Sequence, residues 1–447
     1  MNRFLLKCFS LTLFFLIWVL LLPPRDASAV IDGISGNTFN LVAKEGHIST
    51  PDGGSVLLWG YAIGNGRVQY PGPTMIINEG DTITVTLRNE LMQPVSILFP
   101  GQEDVQADGG IEGLITREAL PTDDPGTPQD ESTVTYTFTA THPGTYMYHS
   151  ATFPELQVEM GLVGAIIVRP AGFNPNAPRA YNHPGTSYDR EYLFLLTEMD
   201  PRIHETVEKF GVDALQGTDY LSNYFPNYWF INGRCAPDTM AQAFAPWLPT
   251  QPYNCLPRMH PGEKLLMRVI GGGRDLHPYH HHGNNSYIIA RNGRMLESSP
   301  GMGPNLGMSV FTIKTIPGET VDAIFEWTGK DLGWDIYGTG PGFEHDCVDG
   351  NNDGFDDNTH EYCADHGKPL PVILPENQVL SFGDFYSGSP YLGKKGVLPP
   401  GAGTLNVYGG FFYMWHSHNE REMTNYDIFP GGMMTMLIIE APGVPIP

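Results

Sequence analysis

Four histidines toward the C-terminus stand in two pairs, each spaced by a single residue. His280 and His282 lie in LHPYHHHGNN (276–285), and His416 and His418 in WHSHNE (415–420). On an extended strand, residues two apart point to the same side, so each pair can aim two imidazoles at one place. Neutral imidazole suits copper, zinc, iron or nickel. Packing explains two such pairs poorly, because each buried ring nitrogen would need its own partner. Metal binding is the favoured reading. His281 faces the other way and reads as structural or exposed.

An earlier stretch, YMYHSATF (146–153), matches YMWHSHNE (413–420) but carries Ala151 where His418 stands. It offers His149 alone. Each copy is followed by an apolar run, GLVGAIIVRPAG (161–172) and GGMMTMLIIEAPG (431–443), so the chain contains a repeat of domain size. Glu159, Glu420, Glu422 and Asp427 supply carboxylates that would either ligate metal and orient the imidazoles or sit as solvated loop charge. Met414, Met423, Met433, Met434 and Met436 read as soft cuprous ligands or, more simply, as core filling.

The elements that must position these groups are strands. TITVTLRN (82–89), STVTYTFTA (132–140), GAIIVRP (164–170), KLLMRVIGG (264–272), ETVDAIFEW (319–327) and MTMLIIE (434–440) are short β-type runs, several of them alternating polar and apolar. The 52 glycines and 39 prolines supply turns between them. One helix is expected at IHETVEKFG (203–211). The fold class is all-β, sandwich or barrel.

Residues 1–29 read as a secretory leader: Arg3 and Lys7, an apolar run, then a small-residue cleavage site after Ala29. Cleavage removes three basic residues and one acidic residue, taking the net charge from −24 to −26. So acidic a surface disfavours nucleic acid and anionic membranes. The expected division is domain one at 30–172, a linker at 173–192, and domain two at 193–447. Domain two carries insertions near 235–255 and 338–402. Each insertion holds two cysteines, and their spacing in an oxidising compartment suggests Cys235–Cys255 and Cys347–Cys363 disulfides. Asp349, Asn351, Asp353 and Gly354 open like a calcium loop, although position twelve is His360 rather than glutamate.

YPGPTMIINEGDTITVTLRN (70–89), HPYHHHG (277–283), GTYMYHS with GLVGAIIV, and MWHSH with GGMM together resemble the multicopper oxidases, over nearly the whole mature chain. The resemblance implies two cupredoxin-like Greek-key domains, as in two-domain laccases and copper nitrite reductases. It implies one or two copper ions, with His149, His280, His282, His416 and His418 at cluster-type positions and His277 at a blue-copper position. It also implies a trimer as the candidate oligomer. The departures from the pattern are informative. Leu98 and Pro100 stand where the first domain should carry ligands, Ser417 where the blue-copper cysteine belongs, and Glu422 at the next histidine position. A serine hydroxyl cannot replace the copper–thiolate bond. The expected function is an exported copper-binding oxidoreductase without a blue centre, acting on a small molecule or metal ion. The alternative is a non-catalytic copper-binding or scaffold protein. Nitrite reduction would need the missing cysteine.

Overall fold

Alternation along the chain translates directly into strands. In Thr82–Asn89 the apolar positions face inward and the threonines outward, and β-branched residues suit both faces of the pleat. The computed structural model describes residues 31–122, 126, 128, 131–338, 344–369, 389–390, 411–440 and 445–446. The leader expected at 1–29 lies outside the described residues, as do 339–343, 370–388 and 391–402 of the second insertion.

Strands from Ile34 to Arg169 build two sheets. One runs in the order Ile34–Ser35, Gly72–Asn78, Val163–Arg169, Gly144–His149. The other is centred on Thr38–Ser49 and Thr82–Asn89. Strands from Arg190 onward build two more. Arg190–Met199, Lys264–Gly271 and Thr320–Glu326 adjoin in one; Met434–Ile439, Phe411–Ser417, His277–His281 and Thr312–Thr315 adjoin in the other. Each pair of sheets closes over its own apolar core. The first core includes Leu41, Val85, Tyr136, Tyr148 and Ile166; the second includes Phe194, Met267, Tyr279, Trp415 and Leu437. The two halves repeat the same mixture of pairings: Gly72–Asn78 runs parallel to Val163–Arg169, as Arg258–Met259 does to Met434–Ile439.

The halves share a third apolar cluster, in which Leu58, Met147 and Val163 meet Leu193, Phe230 and Ile270. Beside it lies a buried charge network. Glu191 accepts from Arg169 at 2.6 and 2.7 Å and from Arg268 at 2.5 Å, and Arg268 also approaches Asp322 at 3.6 Å. Burial alone would raise the Glu191 carboxyl, but the two guanidinium groups hold it down to about 2.

The expected helix is present at Pro201–Phe210. Asp200 caps it by accepting from the Arg202 N–H, Pro201 occupies its first turn, and Gly211 ends it at φ 81°. Ile203 and Val207 on its inner face join the core of the first half. The linker is shorter than expected. Arg190, Glu191 and Tyr192 already pair with Leu265, Leu266 and Met267, because the charge network needs Glu191 in the sheet.

Only one of the two expected disulfides forms among the described residues. Cys347 and Cys363 are bonded, while Cys235 and Cys255 are free, buried thiols. The reason is geometric. Strand Tyr228–Ile231 sends Tyr228 and Phe230 into the cluster between the halves, and Trp229 and Ile231 into the second core. Cys235 belongs to the former and Cys255 to the latter, so they pack against opposite faces of that strand. The Cys255 thiol instead donates to the Ile231 carbonyl at 3.0 Å.

Candidate metal centre

His277–His281 and Phe411–Ser417 are antiparallel neighbours, and their register places His280 directly opposite His416. Beyond that pair, the His282 N–H donates to the Met414 carbonyl at 3.3 Å and the His418 N–H to Pro278 at 2.8 Å. The four imidazoles therefore gather at one end of two strands. Ring centroids lie 4.6 Å apart for His280 and His282, 5.4 Å for His280 and His416, and 5.0 Å for His280 and His418. One nitrogen from each of His280, His282 and His416 falls within a span of 4.8 Å.

Backbone carbonyls set which nitrogen faces the cluster. His280 Nδ1 donates to the Phe311 carbonyl at 2.7 Å, and His416 Nδ1 to Ser417 at 2.7 Å. Each Nε2 is then left with its lone pair. That of His280 is buried with no hydrogen-bond partner, and that of His416 lies 3.2 Å from Nε2 of His282. Burial, then the neighbouring imidazoles, pushes His280 down to about 3; burial likewise takes His416 to about 4. His280 and His416 are therefore neutral at physiological pH, with their Nε2 lone pairs turned into the cluster. A buried acceptor without a donor is costly, and a cation relieves that cost. The donor set fits copper.

His281 does face the other way. It packs against Phe325 and Trp415, and its Nε2 accepts from the Ser286 N–H at 3.1 Å.

His149 repeats the His416 geometry in the first half. Its Nδ1 donates to the Ser150 carbonyl at 2.8 Å, and it pairs with Val163 as His416 pairs with Met434. Across its other edge stands Leu98, in the place that His280 takes beside His416. Among the described residues His149 is not in the group of converging nitrogens.

His277, expected at a blue-copper position, is used otherwise. Its Nε2 donates to Glu198 at 2.8 Å and its Nδ1 to Glu422 at 2.9 Å, and all three side chains are buried. Burial opposes the charge, but the two carboxylates outweigh it and raise His277 to about 10. Both ring nitrogens are taken up by carboxylates in this arrangement. Glu198 was not foreseen. The one clue is an acidic residue inside the apolar strand YLFLLTEM. Its other oxygen accepts from the Asp275 N–H at 2.9 Å. Tyr224 lies within 3.4 Å of Glu198 and donates to Glu159 at 2.6 Å, and Glu159 in turn faces His204 at 3.4 Å. Glu159 is thus spent on that network, while Glu420 and Asp427 are exposed.

In the acidic loop, Asp349 accepts from the Asp353 and Gly354 N–H groups at 3.0 and 2.9 Å, and Asn351 from Asp353 at 2.9 Å. These side chains hold the turn of the loop. A cavity of about 730 Å³ opens between Asp32, Tyr192, Asn254 and Arg258, and none of these histidines lines it.

A family profile described as multicopper oxidase matches residues 49–172. Laccase 1 of Metarhizium robertsii is 26% identical over 208 residues, 42% of this chain and 32% of its own length. Copper resistance protein A of Escherichia coli is 33% identical over 140 residues, 31% of this chain and 20% of its own. The chain therefore spans a third or less of the length of these curated relatives. Among solved structures, a blue copper oxidase from Nitrosomonas europaea aligns with a TM-score of 0.52 at 19% identity, covering 90% of this chain and 85% of that one. The multicopper oxidase mgLAC aligns at 0.53 and 17% identity, covering 92% and 87%. These two structures show the fold, which is all-β and cupredoxin-like.

Proposed function

Because the chain carries a multicopper oxidase domain, we propose that it is an exported copper-binding oxidoreductase that works without a blue copper. The observation that carries this reading is the convergence of His280, His282 and His416, with the His280 Nε2 buried and without a hydrogen-bond partner. Those three would hold one copper, or two, with His418 beside them. His149 would approach from the first half of its own chain or of a neighbour in a trimer. Copper held this way supplies one-electron exchange with a small molecule or a metal ion. The protein's part is to keep the imidazoles neutral and their tautomers fixed by the Phe311 and Ser417 carbonyls. Export rests on the leader-like residues 1–29; among the described residues no helix is long and apolar enough to cross a membrane.

A second reading has its own observation. Ser417 and the protonated, carboxylate-bound His277 remove the place where electrons enter a blue-copper oxidase. That favours a copper-binding protein without catalysis. Metal analysis with electron paramagnetic resonance on purified protein tests the shared premise, and His280→Ala/His418→Ala should abolish stoichiometric copper binding. Turnover of phenols, ferrous iron or cuprous copper by the loaded wild type separates enzyme from binder. Copper retained in full by the double variant would place the site elsewhere.

A further inference from the structure

A second cluster of metal-ligating side chains lies where the disulfide-bearing insertion meets the core of the second half, at residues that no spacing pattern connects. We propose that Asp335, His345, Glu361 and His366 form a separate site for a divalent cation of the zinc type, with a structural role. One donor atom from each of the four lies within 4.8 Å of all the others. His345 Nε2 stands 3.0 Å from Glu361 and 3.6 Å from Asp335; His366 Nδ1 stands 3.0 and 3.6 Å from the same two. Each imidazole nitrogen thus faces both carboxylates, as ligands do around a common centre. Four N and O ligands at zinc distances from a tetrahedral ion stand about 3.3–3.6 Å apart. The observed separations bracket that edge.

Two further observations point to a ligand. Glu361 is 1% exposed, and its Oε1 and the His366 Nδ1, though 3.0 Å apart, are buried without an aligned hydrogen bond to each other or to any other group. Two imidazoles with two carboxylates suit zinc, since the neutral nitrogens and the two negative charges balance a dication. The supporting groups are already in place. Asp335 is oriented by accepting from the Tyr337 and Gly367 N–H groups at 2.9 Å each. His345 precedes Cys347 by two residues and Glu361 precedes Cys363 by two, so the disulfide ties the ligand-bearing segments together. Trp334 and Ile336 flank Asp335 and belong to the core of the second half. A cation here would fasten the insertion to that core, independently of any metal at His280, His282 and His416.

The test is equilibrium dialysis of the metal-stripped full chain against zinc alone, with metal counted by mass spectrometry. The chains compared are wild type, His280→Ala/His418→Ala, and His345→Ala/His366→Ala. The expected result is one zinc equivalent kept by the first variant and lost by the second. Equal zinc content in the wild type and the His345/His366 variant would overturn the proposal. Should that variant fail to fold, cobalt substitution in His280→Ala/His418→Ala decides. One equivalent with the intense visible bands of a tetrahedral ion supports the site, and no stoichiometric cobalt uptake refutes it.

Discussion

His277 donates its Nδ1 proton to Glu422 across 2.9 Å, at the positions where the multicopper pattern would set two copper-binding histidines. With Glu198 on the other side, a buried imidazolium between two carboxylates fills that space. Ser417→Cys by itself should therefore not produce a blue protein. Copper added to this variant should give no intense visible thiolate-to-copper band, and an absorption spectrum checks it. Such a band would mean that His277 surrenders its proton to the metal.

The same pairing makes stability fall with rising pH. His277 titrates near 6.5 when unfolded and near 10 when folded, so its contribution is complete below about 6.5 and is lost as pH passes 10. Within that window one such group lowers the unfolding free energy by up to ~1.4 kcal/mol per pH unit. Denaturant titrations at pH 7, 8 and 9 should show the slope in wild type and a shallower one in Glu422→Gln.

Protons should compete weakly for the copper ligands. Burial holds His280 and His416 down to about 3 and about 4, so proton competition at these two ligands should set in only well below pH 5. Competition with a chelator of known pH dependence measures this. The metal-free protein should lose stability over the range from 6.5 down to those values, because its buried imidazoles resist charging while the unfolded ones accept protons.

Glu191→Gln should be severe. It leaves Arg169 and Arg268 charged and buried without their shared anion, a loss of about 3–5 kcal/mol by comparison with other broken buried pairs. Thermal or denaturant unfolding at neutral pH reads it directly.

Thiol counting tests the cysteine assignment. Mature chain unfolded without reductant should react at two thiols, Cys235 and Cys255, and peptide mapping should find only the Cys347–Cys363 link. Zero reactive thiols would restore the pairing that their spacing suggests.

Much of the fold is written in local pattern. Threonine alternates with isoleucine, valine and leucine in TITVTLRN, and its strand spans those eight residues. His280 and His416 were legible for the same reason, since a period of two sends each pair to one face. What stayed hidden depends on separation in the chain. Glu198 reaches His277 from 79 residues away, and no spacing rule connects them. The cysteines misled because sequence distance does not reveal a strand standing between two side chains. Asp335, His345, Glu361 and His366 come together through tertiary folding around the Cys347–Cys363 loop, which no spacing rule anticipates.

The charge network between the halves joins Arg169 to Glu191, whereas the chain joining those residues runs over exposed Asn174–Ala177. A protease nick in that surface stretch would sever the backbone and leave the Arg169–Glu191–Arg268 contacts and the shared apolar cluster untouched. The nicked product should elute from gel filtration as one particle and separate only in denaturant.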